Sequence, residues 1–297
     1  MTVSLAAFNC LPNGSNMVTA LQAAIDSGSP LYAPPGEYII DGTITLRSLL
    51  SLVGDGRGSV SFKRAPGASG HLFQGTNLSK ITLSRVAFNG NRTNCPNAQN
   101  TFELTNVTFS SLTECGFSNA KLIAVRWFGC SHNLILGNEI SGSGTIGLRM
   151  GQTGDNYNTR VIANHVYNNG QEPAAGYGIG ISLDACRRFI VTGNNSHNND
   201  DNNIDLWNCQ DSTVTGNTCI ASAHADGIAL DGGTGSGNTD SDLVVTGNIC
   251  RFNRYGSNMA NKVAYSIVSG NNLRGNTTAG MQTPSISTGS VFTGNVV

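Results

Sequence analysis

Charge is scarce in this chain. Of its 297 residues only 12% are Asp, Glu, Lys or Arg, and 17 basic side chains against 18 acidic ones leave a net charge of −1. With no basic excess or patch, nucleic acid is not an expected partner. Long apolar runs are missing as well. No segment approaches the ~20 consecutive apolar residues that span a bilayer, so no membrane is expected either. There is no C-x-x-C pair and no Cys/His cluster, which argues against zinc. Stacked helices need Ala, Leu, Glu and Lys, and a chain with 37 glycines and abundant Asn, Ser and Thr is poorly suited to them.

What is present is a repeat. Seven asparagines recur in nearly one setting: Leu-Ile-Leu-Gly-Asn138, Val-Ile-Ala-Asn164, Ile-Val-Thr-Gly-Asn194, Thr-Val-Thr-Gly-Asn217, Val-Val-Thr-Gly-Asn248, Ile-Val-Ser-Gly-Asn271 and Val-Phe-Thr-Gly-Asn295. The steps are 26, 30, 23, 31, 23 and 24 residues, so a unit of about 23 repeats and sometimes carries an insertion. A repeat of that length implies a solenoid whose units bury their apolar faces only by stacking. The apolar segments are short, β-branched and punctuated by Gly and Asn, which reads as strands joined by tight turns. Equivalent strands then stack in parallel, about 4.8 Å apart, as a parallel β-helix.

Several columns agree with this reading. Three residues before the asparagines stand Ile135, Val161, Val191, Val214, Val245, Val268 and Phe292, and two after them Ile140, Val166, Ser196, Cys219, Cys250, Leu273 and Val297. Cys130, Cys186 and Cys209 occupy the position eight before. A second strand reads Gly147-Leu-Arg-Met150, Gly180-Ile-Ser-Leu183, Asn203-Ile-Asp-Leu206, Gly227-Ile-Ala-Leu230 and, more loosely, Gly256-Ser-Asn-Met259. Its apolar members point inward by the period-two rule. The stacked asparagines form a structural ladder, and the inward cysteines are expected as free thiols that fill space.

Near the amino terminus, Asn16 to Gly28 has apolar residues at helical spacing with a capping residue before and a glycine after. This predicts a helix covering the first coil. Residues 1–60 are thus expected to hold the capping helix and first coils, and 61–297 the continuous coils. Through "TALQAAID", "LYAPPGEYII", "ITL", "LVGDGRG" and the repeated "VTGN", the chain resembles the pectate-lyase superfamily, and most of all its pectate-lyase-3-like members, which include phage tailspike depolymerases. The resemblance covers residues 10–297. It implies an all-β, single-stranded right-handed parallel β-helix, a polysaccharide substrate and a possible homotrimer. The first eight residues lack a charged n-region and a long apolar h-region, so no signal peptide is expected. The compartment is left open between an extracellular place in a phage particle, a trimmed chain and a cytosolic enzyme.

Inward positions of such a tube are packed, so chemistry belongs on outward positions of one sheet. Those of the second strand read Arg149 and Gly151, Ser182 and Asp184, Asp205 and Trp207, Ala229 and Asp231, then Asn258 and Ala260. Three carboxylates on successive coils repel one another and add nothing to stability. Asp205 lies two residues before the column shared by Asp184 and Asp231, which gives Cα diagonals of about 8 Å. That spacing suits an inverting glycosidase, where a water fits between acid and base. Trp207 offers a stacking platform for a sugar ring. Loops carrying Glu172, Tyr177, His197, Asp200, Asp201, His224, Asp226, Arg251, Arg254 and Tyr255 are expected around the groove, with the insertions 171–175 and 232–242 as its walls.

The catalytic set expected is Asp205, Asp231, Asp184 and His224, with Trp207, Arg149, Arg254 and Tyr255 binding substrate. Asp184, Asp205, Asp231, His224 and Arg254 loosely follow the plan of polygalacturonase-like members of the superfamily. Asn203-Ile-Asp205 matches their Asn-x-Asp signature in form, whereas Asp200-Asp201 falls in a loop. The leading reading is a glycoside hydrolase, which requires no cofactor. A lyase or epimerase on a uronate polymer is the second; Ca²⁺ would serve it, held by the aspartates. A non-catalytic glycan-binding adhesin is the third.

Overall fold

The residue before each ladder asparagine decides the turn. Gly137, Gly193, Gly216, Gly247, Gly270 and Gly294 all have φ between 62° and 66°, the left-handed region open to glycine. Ala163 holds the same turn at φ 54°, a strained conformation that costs about 1 kcal/mol or more. Each turn ends one short strand and starts the next. A computed structural model describes residues 2–12, 16–172, 177–232, 239–259, 262–282 and 286–297.

Three parallel sheets form the walls of the tube. The first has twelve strands, including Leu134–Leu136, Arg160–Ile162, Ile190–Thr192 and Thr213–Thr215, each ending just before a ladder asparagine. The second has nine and follows the asparagines, as in Glu139–Ser141, His165–Tyr167 and Asn195–His197. The third has ten, including Leu148–Tyr157, Ile181–Arg187, Ile204–Trp207, Ile228–Asp231 and Tyr255–Asn258. The register joins Ile135, Val161, Val191 and Val214 in one inward column and Ile140, Val166, Ser196, Cys219 and Cys250 in another, as expected from the sequence.

The asparagines bind one another along the axis. Asn194 donates both its backbone N–H and its Nδ2 to Asn217 Oδ1 at 2.9 Å, while Asn217 Nδ2 donates to Val191 O and Asn248 Oδ1 at 3.0 Å. A second amide column, not anticipated from the repeat, stands at the corner between the second and third sheets: Asn169, Asn199, Asn253 and Asn276. Its missing rung, where Ser222 stands, is filled from the side by Asn203. That residue accepts from Asn199 Nδ2 at 2.8 Å and donates to Asn253 Oδ1 at 3.0 Å. Asn203 is therefore structural, and it anchors the strand two residues ahead of Asp205.

The core changes along the axis. Tyr38, Phe62, Phe88 and Phe117 stack with ring centroids 5.1–5.7 Å apart, and the same column then narrows through Ile140 and Val166 to Ser196, Cys219 and Cys250. All eight cysteines are buried free thiols, even Cys219 and Cys250, which pair in register. Burial pushes the Cys130 thiol up to about 12, so it is inert filler.

The amino-terminal helix runs Val18–Asp26, slightly shorter than expected, with Asn16 Oδ1 accepting from Val18 N at 3.0 Å. Its Gln22 amide donates to Thr45 O at 3.0 Å and accepts from Thr45 N at 2.9 Å, closing the edge of the third sheet. Among the described residues no helix is long and apolar enough to cross a membrane.

Replacing Asn217 with Ala takes the acceptor from both donors of Asn194 and the side-chain donor from the carbonyl of Val191, and leaves Asn248 Oδ1 only the backbone N–H of residue 217. Stability should fall by about 3 kcal/mol or more, read as a lower denaturant midpoint. Asp240 yields a second test. It is fully buried, Oδ1 accepts from Cys209 N, and Asn156, three members earlier in the same column, does the same for Cys130 N. Burial raises the Asp240 carboxyl well above the usual range, so the folded chain keeps its proton while the unfolded chain releases it near pH 4. Stability is therefore lost as pH climbs from about 4 toward the folded value. Asp240→Asn should raise the melting temperature at pH 8 and change it little at pH 4.

Candidate active site

Outward side chains of the third sheet stand in two adjacent columns. One runs Arg149, Ser182, Asp205, Ala229, Asn258, and the other Gly151, Asp184, Trp207, Asp231. Glycine is required at position 151, where φ is 103° and a Cβ would lie 1.6 Å from Asp184 O. The chain bulges between Gly151 and Asn156, and Asp184 is drawn against the sheet.

These columns floor a cleft of about 510 Å³. Asp184, Asp205, Asp231, Trp207 and Arg149 all line it, so five of the eight expected residues come together. Tyr177 and the half-exposed Trp207 offer aromatic surfaces, and Ile146 and Ile179 form an apolar shelf over Ile123. Asp201 and Asn202 enter from the loop before the strand. The sequence places Asp201 only generally around the groove, and nothing in the repeat signals Asn202 or the isoleucine shelf.

The carboxylates occupy distinct environments. Asp184 is nearly buried, and Arg149 Nε and Nη2 both donate to its Oδ2, at 3.0 and 2.7 Å, an ion pair at the wall of the cleft. Arg149 thus belongs to Asp184 as well as to the cleft wall. Asp205 is pushed up to about 8, first by burial and then by the charges of Asp184, Asp201 and Asp231. Asn202 donates to Asp205 Oδ1 at 3.2 Å and accepts from Asp226 N at 3.0 Å, tying two coils together at this point. With Oδ1 so engaged, Oδ2 is the oxygen that carries the proton. Burial also raises Asp201.

An adjoining hollow of about 240 Å³ shares Asp201, Asn202 and Asp231 with the cleft. Here Arg254 is bound by buried Asp226 through two contacts of 3.2 and 3.1 Å, and Asn258 donates to Asp226 at 2.7 Å. Tyr255 carries the Arg254 guanidinium over its ring at 5.3 Å. His224 is exposed at the rim of this hollow, with Nδ1 3.0 Å from Asp200 Oδ1. Arg254, Tyr255 and His224 are therefore neighbours of the cleft and do not line it. Two expected groove residues stand on another wall altogether: His197 and Arg251 belong to strands of the second sheet, because each follows a ladder asparagine by three residues. Glu172 is held at the corner by Arg92 and Lys121.

Residues 173–175 of one expected wall and 233–238 of the other lie outside the described residues. Among the described residues no three His, Cys, Asp or Glu side chains converge as a metal cage.

A family model described as the right handed beta helix region matches residues 61–219, and one described as periplasmic copper-binding protein (NosD) matches residues 170–297. No curated protein matches the chain by sequence. Solved structures do match in fold. The Dettilon tailspike protein gp208 is 17% identical with a TM-score of 0.72; the alignment covers 99% of this chain and 61% of that one. The A-module of the Azotobacter vinelandii mannuronan C-5 epimerase AlgE6 is 19% identical at a TM-score of 0.59, covering 98% and 99% of the two chains. PfbA, a surface adhesin of Streptococcus pneumoniae, is 12% identical at 0.66, covering 100% and 93%. The chain thus spans about three fifths of the tailspike's length. A tailspike, an epimerase and an adhesin on one fold leave the chemistry to be argued from the cleft.

Removing one neighbouring charge should ease the proton from Asp205. In Asp231→Asn the Asp205 carboxyl, followed by carbon-detected NMR, should titrate below the value of about 8 expected for the wild type. An unchanged midpoint would show that the two carboxylates do not interact.

Proposed function

The chain belongs to the right-handed β-helix family, and we propose that it is a glycoside hydrolase whose active site is the carboxylate cleft of the third sheet. One observation carries this reading: burial and the facing charges of Asp184, Asp201 and Asp231 push the Asp205 carboxyl up to about 8, inside a cleft that all four carboxyls line. Glycoside hydrolysis needs a split between a protonated acid and an ionised partner. Asp205 protonates the leaving glycosidic oxygen through Oδ2. Asp231, on the next coil and accessible from both hollows, activates the attacking water. Asp184, paired with Arg149, holds Asp205 protonated and stabilises the positive charge that develops on the sugar ring. Trp207 stacks against a pyranose, and Tyr177 closes over it.

The Cα diagonal of about 8 Å from Asp205 to Asp231 supports inversion of the anomeric centre. Elimination or epimerisation of a uronate is less well supported. Both reactions need the sugar carboxylate neutralised, and with Arg149 and Arg254 already engaged by Asp184 and Asp226 that task would fall to a bound cation such as Ca²⁺. No cofactor enters the proposed reaction. The polysaccharide nature of the substrate is part of the same proposal, and the tailspike and mannuronan epimerase likenesses favour it.

Digestion of a panel of neutral, amino and uronate polysaccharides, read by mass spectrometry and by ultraviolet-absorbing unsaturated ends, tests the reading. The wild type should release saturated oligosaccharides with a rate that falls above about pH 8, where Asp205 loses its proton. Asp205→Asn should lower that rate ~10²-fold or more with the fold intact by circular dichroism. Unsaturated products would replace hydrolysis by elimination. An Asp205→Asn variant as active as the wild type would remove the proposed acid.

A further inference from the structure

The second sheet carries a cluster that the carboxylate cleft does not use. His165 and His197 project from neighbouring coils, diagonal to one another because Tyr167 is the residue in register with His197. Their Nε2 atoms face each other at 2.7 Å. At that distance only one proton can lie between the rings. Each ring therefore presents the same nitrogen to one point in space.

The rings are held in that pose. Tyr167 stacks on His165 with centroids 4.5 Å apart and on His197 with centroids 5.3 Å apart, the latter nearly coplanar at 6°. The Tyr167 hydroxyl donates to Glu139 Oε1 at 2.7 Å, and Arg57 Nε holds Glu139 Oε2 at 3.1 Å. An ion pair thus anchors a phenol that in turn fixes two imidazoles. All three rings are partly buried.

We propose that His165 and His197 form a two-imidazole site for a divalent transition-metal ion such as Zn²⁺ or Cu²⁺. Imidazole nitrogen suits both ions. Zinc–nitrogen bonds of ~2.0–2.1 Å at a tetrahedral angle place two nitrogens roughly 3.3 Å apart, so an opening of roughly 0.6 Å admits the ion. No third His, Cys, Asp or Glu converges on the pair among the described residues, and water completes the coordination. The site is independent of the glycosidase reading, since it stands on a different sheet.

Calorimetric titration of the full chain with ZnCl₂ tests the site. One Zn²⁺ per chain is expected for the wild type and for His132→Ala, and none for His165→Ala or His197→Ala. On the unmodified protein, Zn²⁺ should shift the imidazole proton resonances of His165 and His197 together, which keeps the test valid if a variant misfolds. The proposal is overturned if the wild type binds no Zn²⁺, if either variant binds as the wild type does, or if the resonances that move belong to other histidines.

Discussion

Axial hydrogen bonding between inward amides governs this structure. Each interior ladder asparagine receives two donors from the asparagine before it and donates to the one after, so a slip of one residue would orphan several buried groups at once. Parallel strands of three or four residues have little registry of their own, and hydrophobic columns tolerate local sliding. The amides do not. They convert a loosely periodic chain into a stack with fixed register, and every outward neighbour relation on the third sheet inherits it.

That dependence explains what the sequence shows and what it hides. The inward columns and the ladder were legible, because a repeated one-dimensional pattern maps directly onto stacking. So were the outward columns of Asp184, Asp205 and Asp231, which follow from the register alone. The partners of these residues were not legible. Asn203 matches a catalytic signature in form, yet it serves as a substitute rung for an amide column that Ser222 interrupts, and seeing this requires the second column. The pairing of Arg149 with Asp184 depends on side-chain reach across a bulge that only Gly151 permits. His197 was assigned to the wrong wall because a loop position and the strand after a turn look alike in a sequence.

The cleft works against the tendency of the rest of the chain. Elsewhere charge is rare, and several of the charged side chains are paired, as with Arg57 and Glu139 or Lys63 and Glu37. On the third sheet and the loop entering it four carboxyls line one cleft, where their charges help push Asp205 up to about 8 and one guanidinium pairs with Asp184. A packed tube can tolerate that concentration because its stability comes from the interior columns. The outer wall is left free to hold groups that disfavour one another.

Gln22 adds a consequence for how such a stack lives in solution. An open parallel sheet is a template on which a foreign strand can grow, and a protein built almost wholly of parallel strands carries that hazard at its margins. One carboxamide, reaching down from a helix, occupies both hydrogen-bonding groups of Thr45. On that wall a would-be guest finds the docking position already taken, so amyloid-like propagation from it is refused by a single side chain.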